Sequence, residues 1–159
     1  MTSIRSQKEV EVDAMTCTFF GHSYISADIS ASLEDALVYL IEKKGVNKFY
    51  VGTHGSFDRQ CFEMLEKLAE KYDIDYKKVL STVPSKRAEW DKTDYSRAVV
   101  PDGIEKAHPR FRINFRNKWM INNSDYVVTY IKNPFGTGAA QFAALAEKKG
   151  KIMIKLGDY

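Results

Sequence analysis

Three short segments carry glycines and small polar side chains directly after apolar runs: Gly21-His22-Ser23, Gly52-Thr53-His54-Gly55-Ser56 and Gly136-Thr137-Gly138. Glycine at such a turn lets backbone N–H groups come close to an anion, and the N-terminus of a following helix adds partial positive charge. The chemistry this suits is the grip of a phosphate-bearing small molecule. For any single turn a tight bend is the plainer account, and it is the coincidence of several that points to a site. His22 and His54 stand in two of these turns and are candidates for hydrogen bonding to phosphate or ribose, or for acid–base work. The alternative for each is an exposed turn residue. Asp58 lies shortly after His54, in the expected first turn of a helix, where the helix dipole alone favours an acid. Asp58 and His54 are the candidates for a catalytic role. Arg116 and Asn117 complete the set: the guanidinium is a planar fork that donates in pairs and suits phosphate, with a surface cation as the alternative.

The elements that must position these groups follow from periodicity. Apolar runs at 16–20, 46–51, 76–83, 126–131 and 152–156 read as strands. Between them, helical spacing links Leu33, Leu37 and Leu40, then Phe57, Cys61, Leu65, Leu68 and Tyr72, then Phe111, Phe115 and Trp119, and last Ala139, Phe142, Ala143 and Ala146. Ser32 and Gly45 are expected to cap the first helix, Ser56 or its neighbour the second, and Pro109 to open the third. Strands alternating with helices predict a Rossmann-like three-layer α/β/α fold. Its sheet has five strands, mainly parallel, in the order 3-2-1-4-5. The switch point then falls between the first and fourth strands, and the glycine turns converge at the carboxyl edge beside it. The third helix, with Arg116 and Asn117, is expected to end near this cleft.

Residues 1–14 read as a loose leader and 15–159 as one nucleotide-binding domain. The stretch 84–106 has little periodicity. It reads as a lid or binding loop, or as a short helix near 87–92 with an irregular crossing, and Trp90 or Tyr95 within it could close over a base.

Composition narrows the function classes. The chain has 159 residues, 44% of them hydrophobic and 28% charged, with a formal net charge of +3. That balance is ordinary for a globular domain and too small to demand nucleic acid. No apolar run approaches the ~18 to 20 residues that span a bilayer, and 1–14 has no signal-peptide core, so a cytoplasmic protein is expected. Cys17 and Cys61 have no metal-ligand spacing and read as buried thiols. With His22, His54 and Asp58 alone, no metal site is expected. Neither Gly-x-x-x-x-Gly-Lys-Ser/Thr nor Gly-x-Gly-x-x-Gly follows the first strand, which disfavours a nucleoside triphosphatase and a dinucleotide-dependent dehydrogenase, and no cofactor is implied.

Three segments carry a resemblance. They are Cys17-Thr18-Phe19-Phe20-Gly21-His22, Tyr50-Val51-Gly52-Thr53-His54-Gly55-Ser56-Phe57-Asp58, and the run from Arg116-Asn117-Lys118-Trp119 to Asp125. Together they are similar to a bacterial Rossmann-like family grouped with the SLOG superfamily, which takes in the DprA/Smf-like and the LOG "lysine decarboxylase-like" proteins. The resemblance implies a site for a nucleotide or a nucleotide-derived ligand, and a homo-oligomer, as LOG relatives form dimers. LOG hydrolases cleave the N-glycosidic bond of nucleoside 5′-monophosphates. They carry an Arg-Lys pair where this chain has Arg116-Asn117, and a Pro-Gly-Gly-x-Gly-Thr-x-x-Glu loop where it has Asn133-Pro134-Phe135-Gly136-Thr137-Gly138-Ala139-Ala140. Gly-Thr is kept, but Ala140 stands where the glutamate should be. The expectation is therefore a protein that binds, or binds and senses, a nucleotide or nucleotide-derived phosphate. The alternatives are a nucleoside 5′-monophosphate phosphoribohydrolase-like N-glycosidase, with Asp58 or a histidine replacing the glutamate, and a protein-interaction module with a vestigial cleft.

Overall fold

A computed structural model describes residues 15–84 and 95–157. In chain order the elements are β1 (Met15–Gly21), α1 (Ser30–Lys44), β2 (Val46–Val51), α2 (Gly55–Leu68), β3 (Asp75–Val79), β4 (Ala98–Val99), α3 (Arg112–Asn122), β5 (Tyr126–Tyr130), α4 (Gly138–Lys148) and β6 (Ile152–Gly157). Two single 3-10 turns, Ile104–Lys106 and Pro109–Phe111, precede α3. The expected leader, Trp90 and the short helix near 87–92 lie outside the described residues.

The strands form one parallel sheet in the order β4-β3-β2-β1-β5-β6. The expected five strands are all present in the expected order. The count is corrected to six, because Ala98 and Val99 pair with Lys78 and Val79 and extend the sheet at its β3 edge. A strand of two residues has no periodicity to read, so the sequence hides it inside 84–106.

Alternation along the strands divides the core into two layers. Cys17 and Phe19 of β1, Phe49 and Val51 of β2, and Val128 of β5 pack against Leu33, Leu37 and Leu40 of α1 and Phe57, Cys61 and Leu65 of α2. Their neighbours Phe20, Tyr50 and Val127 point the other way, toward Met120 and Ile121 of α3 and Ala146 of α4. Cys17 and Cys61 are free and fully buried, and burial pushes both thiols up. Gly21 ends β1 where the Phe57 ring lies directly against it, so any Cβ there would overlap the ring. That glycine sets how closely α2 sits on the sheet.

Several local expectations change. Ser32 does not cap α1: Ile29 is the N-cap residue, and the Ser32 hydroxyl donates back to Ile29 O at 3.1 Å. Gly45 does end that helix, at φ 73°, with its N–H on Leu40 O. Helix α2 stops at Leu68, short of Tyr72, whose hydroxyl instead donates to the Glu42 carboxylate. Pro109 opens a 3-10 turn rather than α3 itself. The buried face of α3 is Arg116, Met120 and Ile121, whereas Phe111 is 54% exposed. In a parallel sheet the helices run antiparallel to the strands. Helix α3 therefore begins, rather than ends, at the carboxyl edge.

Candidate functional site

The turns after β1, β2 and β5 meet at that edge and hold one another. The Ser56 N–H donates to Ser23 O at 2.6 Å, and the Ser56 hydroxyl oxygen accepts from the Ile25 N–H at 2.7 Å. His22 Nε2 accepts from the backbone N–H groups of Lys132 and Asn133 at 2.7 and 3.2 Å. Ser56 thus ties the β2 turn to the β1 turn, and His22 ties the β1 turn to the β5 turn. Both side chains expected to meet a ligand are engaged in fastening the loops.

At the centre lies Arg116, 2% exposed. Its Nη1 donates to Val79 O at 2.8 Å and to Thr53 Oγ1 at 3.1 Å, its Nε donates to Asn117 Oδ1 at 2.8 Å, and Nη2 stands 3.4 Å from His54 Nδ1. A guanidinium has five N–H donors and no acceptor, so His54 Nδ1 is the accepting nitrogen and the ring hydrogen sits on Nε2. Four donors are thereby committed. Arg116 spans the ends of β2 and β3 as a strut, and offers the cleft its charge and one Nη2 hydrogen rather than a free paired fork.

Asp58 occupies the first turn of α2 and accepts from the His54 N–H at 3.0 Å. Gly52 lies beside both this carboxylate and the guanidinium. A Cβ at Gly52 would stand 2.8 Å from Asp58 Oδ2 and 3.4 Å from Arg116 Cζ. A side chain at this position would therefore crowd the Asp58 carboxylate, which is one reason for a glycine here. Burial raises the Asp58 carboxyl to about 6, against the opposing pulls of the His54 N–H and the Arg116 charge. Burial lowers the His54 imidazole, and Arg116 lowers it further. Arg116 is itself lowered by burial and partly restored by Asp58.

Two cavities open beside this cluster. The smaller, about 260 Å³, lies at the switch point between β1 and β5. Gly21, Ser23, His54, Asp58, Asn114, Arg116, Asn117, Gly138 and Ala139 line it, with Phe19, Phe20, Ile113, Met120 and Phe142 as apolar walls. Thr137 caps α4 by accepting the Ala140 N–H at 3.1 Å. Gly138 and Ala139, whose N–H groups have no acceptor within the helix, are among the residues lining the cavity. The larger, about 750 Å³, lies on the other side of β2, between α2 and the β3–β4 edge, and Gly52, Thr53, Gly55 and Asp58 reach it.

The structure thus gathers Gly21, His54, Arg116, Asn117 and Gly138 at one cavity and Gly52, Thr53 and Gly55 at the other, with Asp58 lining both. His22, Ser56, Gly136 and Thr137 line neither. Asn114 was missed, although its place one turn before Asn117 on a helix was a readable signal. Lys78 and Arg97 in the larger cavity were missed as well, and for Arg97 no signal existed, since it precedes the two-residue strand β4. Among the described residues, no group of three His, Cys, Asp or Glu side chains could hold a metal ion. No helix among them is long and apolar enough to cross a membrane. Comparison with known proteins adds nothing to this geometry: no family model matches the chain, and no curated protein matches it.

Proposed function

We propose that this protein binds a nucleotide or a nucleotide-derived phosphate at the carboxyl edge of its sheet, in keeping with the resemblance to the SLOG superfamily. The observation that carries this reading is the cavity of about 260 Å³ at the switch point, where Arg116 and the first-turn amides of α4 share a wall. Phosphate oxygens would accept from the Gly138 and Ala139 N–H groups at the positive end of the helix. Arg116 would add its charge and remaining Nη2 hydrogen, while Asn117 and the His54 Nε2–H serve as neutral partners.

Asp58 favours a second reading. A carboxyl near 6 in a cleft is poised to move a proton close to neutral pH. When ionised it also supplies the negative charge that a ribosyl cation-like transition state requires. An N-glycosidase acting on nucleoside 5′-monophosphates could use it where Ala140 has displaced the expected glutamate.

A panel of nucleoside monophosphates tests both. A binder at ~100 times its dissociation constant adds ~2.7 kcal/mol, which raises the melting temperature of a chain this size by roughly 5–10 °C. Stabilisation without release of free base supports the binding protein. Turnover that Asp58→Asn abolishes establishes the enzyme instead. Absence of any shift with the monophosphates, ribose 5-phosphate or inorganic phosphate refutes both.

A further inference from the structure

The larger cavity remains without a role in that reading. At about 260 Å³ the smaller one falls below the ~300–1,000 Å³ usual for small-molecule sites, whereas the larger, about 750 Å³, lies well within it. A ligand with its phosphate at α4 therefore has a remainder to house. Asp58 lines both cavities, so a ligand that occupied both would have this carboxyl beside it.

We infer that the larger cavity is the compartment for a heteroaromatic base, stacked on the guanidinium of Arg97; this rests on the nucleotide reading and extends it. Arg97 sits over the Tyr76 ring, with Cζ 4.0 Å from the ring centre. Its Nη1 reaches Tyr76 O at 3.4 Å and Asp75 Oδ1 at 3.7 Å, which holds the plane in place. One face of the guanidinium is covered by tyrosine, and the side chain, 43% exposed, lines the cavity. Behind it Phe62 meets Tyr76 edge to face, and Lys78 Nζ covers the Phe62 ring at 4.6 Å. A flat π-system laid on the face of Arg97 opposite Tyr76 would complete a tyrosine–guanidinium–base stack.

Charge decides against a second anion here. Arg59, Lys78 and Arg97 line the cavity, but so do Asp58, Glu63 and Glu66. With cations and carboxylates balanced among the described lining residues, that part of the wall offers a phosphate no net attraction. It offers donors and acceptors together, which suits a neutral heterocycle bearing an exocyclic amine and ring nitrogens.

Calorimetric titration of the full chain with AMP, adenosine and ribose 5-phosphate tests the assignment, using the wild type, Arg97→Ala and Arg97→Lys. Lysine keeps the charge and the reach to Asp75 but removes the plane, and it provides a folded comparison if the alanine variant melts early. AMP is expected to bind the wild type more tightly than ribose 5-phosphate. Loss of one stacked base amounts to roughly a 5- to 150-fold weakening. Both variants should weaken AMP and adenosine by that factor and leave ribose 5-phosphate unchanged. AMP binding no tighter than ribose 5-phosphate overturns the base compartment alone, as does full recovery in Arg97→Lys or an equal loss of both ligands in Arg97→Ala. If neither AMP nor ribose 5-phosphate binds the wild type, the nucleotide reading falls first and the base compartment with it.

Discussion

Replacing Asp58 by asparagine isolates the electrostatics of the site. The carboxyl is partly buried, and burial lifts it from its ordinary 3.8 to about 6. The folded protein therefore keeps a proton that the unfolded chain releases as pH rises past about 4. The favourable contribution is complete below that pH and is lost as pH climbs through about 6. At ~1.4 kcal/mol per pK unit, the displacement is worth ~3 kcal/mol, or nearer ~2 kcal/mol after allowance for solvent screening. Asparagine has the same outline and its amide oxygen can still accept from the His54 N–H, but it does not titrate. Removing the charge beside Arg116 adds no separate pH dependence, because that attraction is already contained in the displaced carboxyl. The stability of Asp58→Asn relative to wild type should thus rise by ~2–3 kcal/mol between about pH 4 and pH 7.5, widening the gap in melting temperature by roughly 4–12 °C. Scanning calorimetry of both proteins across that interval measures it. A gap that stays constant, or that narrows as pH rises, would mean that Arg116 already holds Asp58 ionised at pH 4, and the buried-acid account would be wrong.

Two further substitutions probe the supports of the site. Gly52→Ala places a methyl 2.8 Å from Asp58 Oδ2, so the carboxylate must swing away from the His54 N–H. Urea denaturation should show a loss of ~1–3 kcal/mol, and a loss below ~0.5 kcal/mol would contradict the tight fit. Thr137→Ala removes the cap on the Ala140 N–H and should cost ~1 kcal/mol, while Thr137→Ser should retain most of the stability. Equal losses in the alanine and serine variants would assign the effect to the threonine methyl rather than to its oxygen.

The layers of this fold were legible because burial imposes a period. Phe19 and Phe20 sit side by side in the sequence and pack into opposite cores, as a strand covered on both faces requires. Gly45 was legible because only a left-handed residue ends a helix in that way. The purpose of the other glycines was not. Gly52 and Gly21 look like anion-binding glycines in sequence, yet a Cβ at Gly21 would overlap the Phe57 ring and one at Gly52 would crowd the Asp58 carboxylate. Such contacts leave no local pattern. The inward face of α3 was misjudged for a related reason. A buried arginine contradicts the apolar stripe unless its hydrogen-bond partners on β2 and β3 are known, and those come from positions 53 and 79.

Arg116 explains why the site holds its unusual charges. A guanidinium at 2% exposure needs both hydrogen-bond acceptors and a countercharge. The acceptors are supplied by Val79 O, Thr53 and Asn117, all neutral. Burial raises the nearby Asp58 carboxyl to about 6, so below that pH the positive charge is hydrogen-bonded but only partly compensated. An anion entering the smaller cavity would supply the missing countercharge. It would also raise the cost of ionising Asp58, which lines the same cavity, so anion binding and proton retention favour each other. The buried guanidinium and the displaced carboxyl are thus the groups that would favour a negatively charged ligand in this cleft.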